Sequence, residues 1–354
     1  MSTEDFILDS FLSDTSVGKS LSTVCINGIT RNADELYPLA PGEIDPRLLD
    51  VSYSGQLNLH SCPRRYELDR KRSSFGTAND EKSEITFAYG HLIGDGIADI
   101  FLEKSWEQIV FRAYLAWGAS GVDLFAEDTK ADKSFWSGLL ALEKFQFMRA
   151  SGFLSDYEVL HYGPEQVQAV ELGFRVQFPD GFALRGYVDV VLKHKTTGEV
   201  VVIECKHTGA ATINPATFKN SAQGISYSVI LDVVAPDISS YAVYYLVYGT
   251  KSQEFYVLPF TKTYVQRARW IREVLLDIES IKMYAAEGLF PMRGESCFSF
   301  WRECKYLNTC ELNTDYLTKP PTWGSLDDKT YTINLTLVDL IDAQLKKTAP
   351  ESIV

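Results

Sequence analysis

Three charged residues interrupt the apolar runs of the stretch "GYVDVVLKHKTTGEVVVIECKHTG", and their types suit one chemistry. An unpaired charge in an apolar strand costs several kcal/mol or neutralises itself, so Asp189, Glu204 and Lys206 need partners. Side chains alternate across a strand. Val200, Val202, Glu204 and Lys206 therefore share one face, while Val201, Ile203 and Cys205 share the other. In the preceding strand Asp189 lies with Arg185, Tyr187 and Val191, opposite Val188, Val190 and Leu192. If the strands pair as a hairpin, Asp189 and Glu204 converge. Two nearby carboxylates ionise together when a divalent cation sits between them, which makes a hard-metal site.

Further polar residues fall where they can join that site. Glu171 alternates with Val170 and Leu172 in the strand before, and stands where it can line the same cleft. His91 and Asp95 are four apart on an expected helix, as are Gln223 and Tyr227 on another, so each pair shares a face. Taken singly, these residues have plainer readings. Glu204 and Lys206 can be a same-face ion pair on a solvated sheet, worth about 0.5 kcal/mol. His91 can be a surface histidine, and Gln223 and Tyr227 a helix-surface pair.

Taken together, the residues resemble a known family. Asp189, fourteen intervening residues and Glu204-Cys205-Lys206 resemble the Asp…Glu-x-Lys core of the PD-(D/E)XK nuclease superfamily. "YGHLIGD" resembles its helical His motif, "AVELGF" its strand glutamate, "QGISY" the Gln-x3-Tyr motif of the RecB-like branch, and "CPRRYEL" the N-terminal signature of that branch. The motifs run in family order from about Ser52 to Leu312. The resemblance implies an α/β fold, a mixed central sheet flanked by helices, with a restriction-endonuclease-like core and a helical insertion between His91 and Glu171. It implies a metal-dependent DNA exonuclease of end resection, recombination or repair, as phages use. Asp189 and Glu204 would hold Mg²⁺ or Mn²⁺, with His91, the backbone carbonyl of Cys205 and Glu171 as further ligands. Lys206 would position or deprotonate the attacking water. Gln223 and Tyr227 would contact the substrate backbone and brace Lys206. A restriction-like or structure-selective endonuclease, and a non-cleaving DNA-binding scaffold, are the alternatives.

"ESCFSFWRECKYLNTC" places Cys297, Cys304 and Cys310 at C-x6-C-x5-C spacing, with Cys62 far upstream. Thiolates are soft ligands for zinc or iron–sulfur clusters, and four complete either site. In the RecB-like branch, AddB-like and CRISPR-associated nucleases divide four cysteines in this way around a 4Fe-4S cluster. The resemblance therefore implies such a cluster, with structural Zn²⁺ as the alternative. The first C-terminal gap is wider than the usual C-x2-C.

The whole chain sets the frame. It has 354 residues, 45% hydrophobic and 13% aromatic, enough for one large core or two ordinary ones. No apolar run is long enough for a membrane span, and "MSTEDFILDSFLSD" is acidic where a signal peptide is basic, so a cytoplasmic location is expected. The net charge of −13 opposes autonomous DNA affinity. A partner such as a single-strand annealing protein or recombinase is the expected means of delivery. One basic cluster stands out, Arg64, Arg65, Arg70, Lys71 and Arg72, which is either a DNA-binding face or a solvated helix surface. Periodicity predicts helices near 56–72, over "EITFAYGHLIGDGIADIFLEK", over 106–117 and over 135–150. A three-stranded meander between 164 and 206 follows, then a helix at "NSAQGISYSVIL", two strands, and a helix over 262–287. The expected organisation is a leader (1–51), a nuclease domain closed by the cysteine clasp (52–312), and a linker with an appended segment (313–354). No phosphate loop or dinucleotide fingerprint is present.

Overall fold

The computed structural model describes residues 44–71 and 81–310, apart from 179–180, 211, 237, 239, 300–301 and 308–309, together with the strands Thr23–Ile26, Ile29–Asn32 and Lys329–Thr332. Arg72, most of the expected leader and most of the expected tail lie outside the described residues. In chain order the main elements are β1 (Asp50–Ser52), α1 (Tyr53–Ser61), α2 (Pro63–Arg70), α3 (Glu81–Phe101), α4 (Trp106–Ala119) and α5 (Phe135–Ala150). There follow β2 (Tyr157–Val159), β3 (Val170–Gln177), β4 (Ala183–His194), β5 (Val200–Thr208), α6 (Ala222–Val234), β6 (Tyr241–Gly249), β7 (Glu254–Lys262), α7 (Tyr264–Ala286) and β8 (Lys329–Thr332). The fold is mixed α/β, with strands of both polarities flanked by helices. Among the described residues no helix is long and apolar enough to cross a membrane.

Two compact units share these elements. One comprises Met1–Gly76, Gly173–Gly186 and Leu275–Leu337; the other comprises Thr77–Leu172, Tyr187–Val274 and Val338–Val354.

In the second unit β5 is the central strand. Its residues Val200 to Ile203 are buried on both faces, which is why they read as an unbroken apolar run. The end of β4 pairs antiparallel with it, Val190 opposite Ile203, and β6 pairs parallel on its other side, Val201 opposite Ala242. β7 returns antiparallel to β6, and β2 pairs with the end of β4. Val190, Leu192, Val201, Ile203, Ala242 and Leu246 pack against α3 and α5 in one core. These two helices approach closely because both carry glycine at the crossing. A Cβ on Gly96 would lie 2.3 Å from Leu142, and one on Gly138 would lie 2.6 Å from Leu92. Capping boxes at Ser105 and Ser134 satisfy the free amides that begin α4 and α5. The opposite face of β6 receives α6, where the Tyr241 hydroxyl donates to the Gly224 carbonyl at 2.7 Å.

In the first unit β1 runs parallel to the start of β4, Asp50 opposite Ala183, and β8 runs parallel to the end of β3, Lys329 opposite Phe174. The single helix expected over 56–72 is two helices. Pro63 disfavours helical backbone in the residue before it, so Cys62 is extended and Pro63 opens the first turn of α2.

Candidate active site

The second unit gathers the chemically suited residues at one end of β5. The alternation read from the sequence holds there: Val202 is buried opposite Val191, and the next residue on that face, Glu204, has only 1% exposure. Three donors hold Glu204. Gln223 Nε2 donates to Oε1 at 2.8 Å, Lys206 Nζ lies 2.5 Å from the same oxygen, and the Tyr227 hydroxyl donates to Oε2. Gln223 and Tyr227 are thus one helical turn apart on α6 and point at the same carboxylate. They brace Glu204, whereas the sequence led us to expect them on Lys206. The physical reason is that an ammonium has no lone pair to receive their protons.

Asp189 is anchored from the neighbouring strand, its Oδ2 accepting the Cys205 backbone N–H at 2.6 Å. Burial, and then the Glu204 carboxylate, push the Asp189 carboxyl up to about 8. Burial works against the Lys206 ammonium, but the Glu204 carboxylate outweighs it and pushes Lys206 up. Cys205 points away from the carboxylates into the core beside α3 and α5, as the alternation predicts.

Glu171 reaches the same place by a break in its strand. The Val191 amide donates to the Ala169 carbonyl at 2.8 Å, a pairing that, continued, brings Glu171 alongside Asp189. Glu171 itself has φ of 44°, in the left-handed region that few side chains adopt inside a strand. Such a break re-aims a side chain and is over-represented beside functional sites. Burial, followed by Asp189, Asp95 and Glu204, raises the Glu171 carboxyl to about 9.

The helical motif divides between two faces of α3. His91 is exposed, and Asp95, one turn on, is half-buried. Burial raises the Asp95 carboxyl, and His91 opposes the rise. It is Asp95 whose charge reaches Glu171. Gly90 faces the sheet, where a Cβ would lie 3.1 Å from His207 Nε2. His207, which the sequence reading left unassigned, packs edge-on against Tyr89 at 5.3 Å. Burial, then Lys133 and Lys206, lower it to about 4, so it is neutral at pH 7. Its signal in the sequence was parity with Cys205, on the face turned to α3.

Among the described residues no group of three or more His, Cys, Asp or Glu side chains is placed to hold a metal ion as it stands. The donor chemistry at Asp189, Glu204 and Glu171 nevertheless suits a hard divalent cation. All the donors are carboxylate oxygens, and two of the acids are raised by burial and by one another. A bound cation reverses that penalty.

In the first unit the four predicted cysteines come together. Cys62, Cys297, Cys304 and Cys310 line one cavity with Arg64, Met292 and others. The wide gap between Cys297 and Cys304 is closed by a hairpin, Ser299 opposite Arg302, after which the Cys304 amide donates to the Cys297 carbonyl at 2.8 Å. The Cys310 thiol is pushed up by burial and then by Cys297 and Cys304. Ser296 Oγ donates to the Ser61 carbonyl at 2.6 Å and Arg64 Nε to the Cys310 carbonyl at 2.8 Å, which ties the distant segments together.

The basic cluster is largely engaged within this unit. Arg64 lies 2.5 Å and Lys71 2.9 Å from Glu67, Arg65 lies 3.8 Å from Asp69, and Arg70 donates to Ser52 Oγ at 2.8 Å.

Comparisons with known proteins fall into three parts. A family model described as the PD-(D/E)XK nuclease superfamily matches residues 50–311, well over half of the chain. No curated protein matches. A solved structure titled "Putative exonuclease" from Eubacterium rectale is similar at 11% identity over 71% of this chain and 86% of that one, with a TM-score of 0.44. A second, SSO0001, is similar at 11% identity over 64% and 88%, with a TM-score of 0.26. Neither structural likeness is strong enough to add to the argument, which rests on the family match and on the Asp189, Glu204 and Lys206 it spans. By that match the chain belongs to the PD-(D/E)XK nuclease superfamily.

Proposed function

We propose that the chain is a metal-dependent exonuclease acting on DNA ends in resection, recombination or repair, with Asp189, Glu204 and Lys206 at its centre. The observation that carries the reading is the setting of Glu204. It is a buried carboxylate fixed by three donors, facing an Asp189 that is itself fixed by a backbone amide. A sheet built only for stability has no use for that arrangement, because buried ion pairs rarely outperform apolar packing.

Members of this family use divalent metals such as Mg²⁺. Asp189, Glu204, Glu171 and the Cys205 carbonyl would hold Mg²⁺ or Mn²⁺, which supplies Lewis-acid stabilisation of phosphate charge and a bound water of lowered pKa. His91, being exposed, is the outermost of the expected ligands. Tyr227 and Gln223 keep Glu204 ionised and oriented, since each donates to the charged form. Lys206 holds the attacking water near the scissile phosphate and offsets negative charge as it develops. The four cysteines would hold a 4Fe-4S cluster that locks the first unit, or a zinc ion in its place.

Incubation with circular and end-labelled linear DNA in Mg²⁺ tests the reading. Stepwise loss of linear DNA with circles intact is expected. Cut circles would make it an endonuclease, and no cleavage of either in Mg²⁺ or Mn²⁺ would leave a DNA-binding scaffold.

A further inference from the structure

The carboxylate centre is poorly equipped to attract a nucleic acid by charge. The chain carries −13 overall. At the centre the Lys206 amine is engaged by Glu204 at 2.5 Å. Phosphate neutralisation, the usual source of DNA affinity, is therefore weak here. Two aromatic rings stand at the same centre, and both are turned outward.

Phe87 has 64% exposure on α3. It lies on the helix face of His91 and Asp95, one and two turns earlier, so its backbone is about 12 Å from that of Asp95. Gly90, between them, fixes where this part of α3 sits, against His207 and so beside Lys206. Tyr187 has 49% exposure on β4, two residues before Asp189 and on the same strand face, about 6.6 Å along the strand. Apolar rings of this size are normally buried, and the core beneath α3 accepts Ile85, Ala88, Tyr89 and Leu92 from the same turns. Exposed rings beside a carboxylate centre match what binds single strands. Bases stack on aromatic faces whatever their sequence, and the affinity does not depend on phosphate charge. Paired bases in a duplex present no free face. A spacing of about 12 Å spans roughly three base steps of 3.4 Å.

We propose that Phe87 and Tyr187 form a stacking platform that selects single-stranded DNA for this centre. The proposal rests on the nuclease reading above for the identity of the nucleic acid. It makes the two rings substrate-binding residues and assigns the strand preference to stacking.

The test is fluorescence anisotropy with a labelled fifteen-nucleotide oligothymidine and with a hairpin duplex, both in EDTA so that nothing is cleaved, for the wild type and Phe87→Ala/Tyr187→Ala. The wild type should bind the single strand more tightly than the duplex. The double variant should lose about fivefold or more in single-strand affinity for each ring removed. Its duplex binding and the salt dependence of its single-strand binding should be unchanged. Phe87→Trp and Tyr187→Phe should restore single-strand binding, which a folding defect would not. In Mg²⁺ the double variant should raise KM on single strands and leave kcat in place. Equal wild-type affinity for both substrates, or unaltered single-strand affinity in the double variant, overturns the platform. A wild type that binds single strands through these rings and cleaves nothing would leave the platform standing and remove the nuclease reading.

Discussion

Removing the Tyr227 hydroxyl isolates what holds the centre together. Tyr227 is 2% exposed and Glu204 1%, so water does not replace the lost donor when Tyr227→Phe removes it. Glu204 Oε2 then loses the partner it had, while Oε1 keeps Gln223 and Lys206. A hydrogen bond to a buried charged group contributes about 1.5–3 kcal/mol, and the ring itself still fills its space. Urea unfolding in EDTA should therefore show Tyr227→Phe destabilised by about 1.5–3 kcal/mol with an unchanged m-value. Glu204→Gln supplies the control. With a neutral acceptor the hydroxyl is worth only about 0.5–1.5 kcal/mol, so the double-mutant cycle should show a coupling of roughly 1 kcal/mol. A Tyr227→Phe protein within about 0.5 kcal/mol of the wild type, or strict additivity, would refute the claim that Tyr227 holds a charged Glu204.

Three further outcomes follow from other parts of the molecule. In the metal-free protein Asp189 titrates near 8 and Glu171 near 9, far above their unfolded values, so the folded state binds more protons than the unfolded one between about pH 4 and pH 9. Stability in EDTA should fall as pH rises through that window, and less so in Asp189→Asn; an equal slope in both proteins would contradict the raised acid. Cys304→Ser should lower both the iron or zinc content by elemental analysis and the melting temperature, whereas Asp189→Ala should change neither; wild-type protein free of both metals would remove the clasp. Gly90→Ala should slow cleavage by displacing α3 from His207, 3.1 Å from the added methyl, while Gly118→Ala, with open space at that point, should leave the rate unchanged.

What was legible in the sequence was whatever depends on local period. Two-residue alternation put Glu204 and Lys206 on one face and Cys205 on the other, and the structure keeps them there. The span Phe135–Ala150 was readable from its helical spacing, and a capping serine precedes it. What was hidden depends on breaks in period or on partners distant along the chain. The left-handed φ of Glu171 defeats any reading by parity, though it is what re-aims that carboxylate. The aim of Gln223 and Tyr227 could not be read from their own helix, because it is set by where Glu204 stands on β5. The break at Cys62 was visible in Pro63 and was overlooked, since the basic residues on either side continue as one charged run. The spacing of Cys297 and Cys304 looked too wide for a shared site until a hairpin closed it. Basic residues that suggested a surface in Arg64 to Lys71 found acids and a serine hydroxyl within their own unit.

The central claim is that Asp189, Glu204 and Lys206 form a metal-dependent hydrolytic centre. Nucleotide release from end-labelled linear DNA tests it most directly, measured for the wild type in Mg²⁺ and in EDTA and for Asp189→Ala in Mg²⁺. Release by the wild type in Mg²⁺, none in EDTA, and a loss of several orders of magnitude in Asp189→Ala at unchanged melting temperature is the predicted result. Release that persists in EDTA, or an Asp189→Ala protein as fast as the wild type, would contradict it.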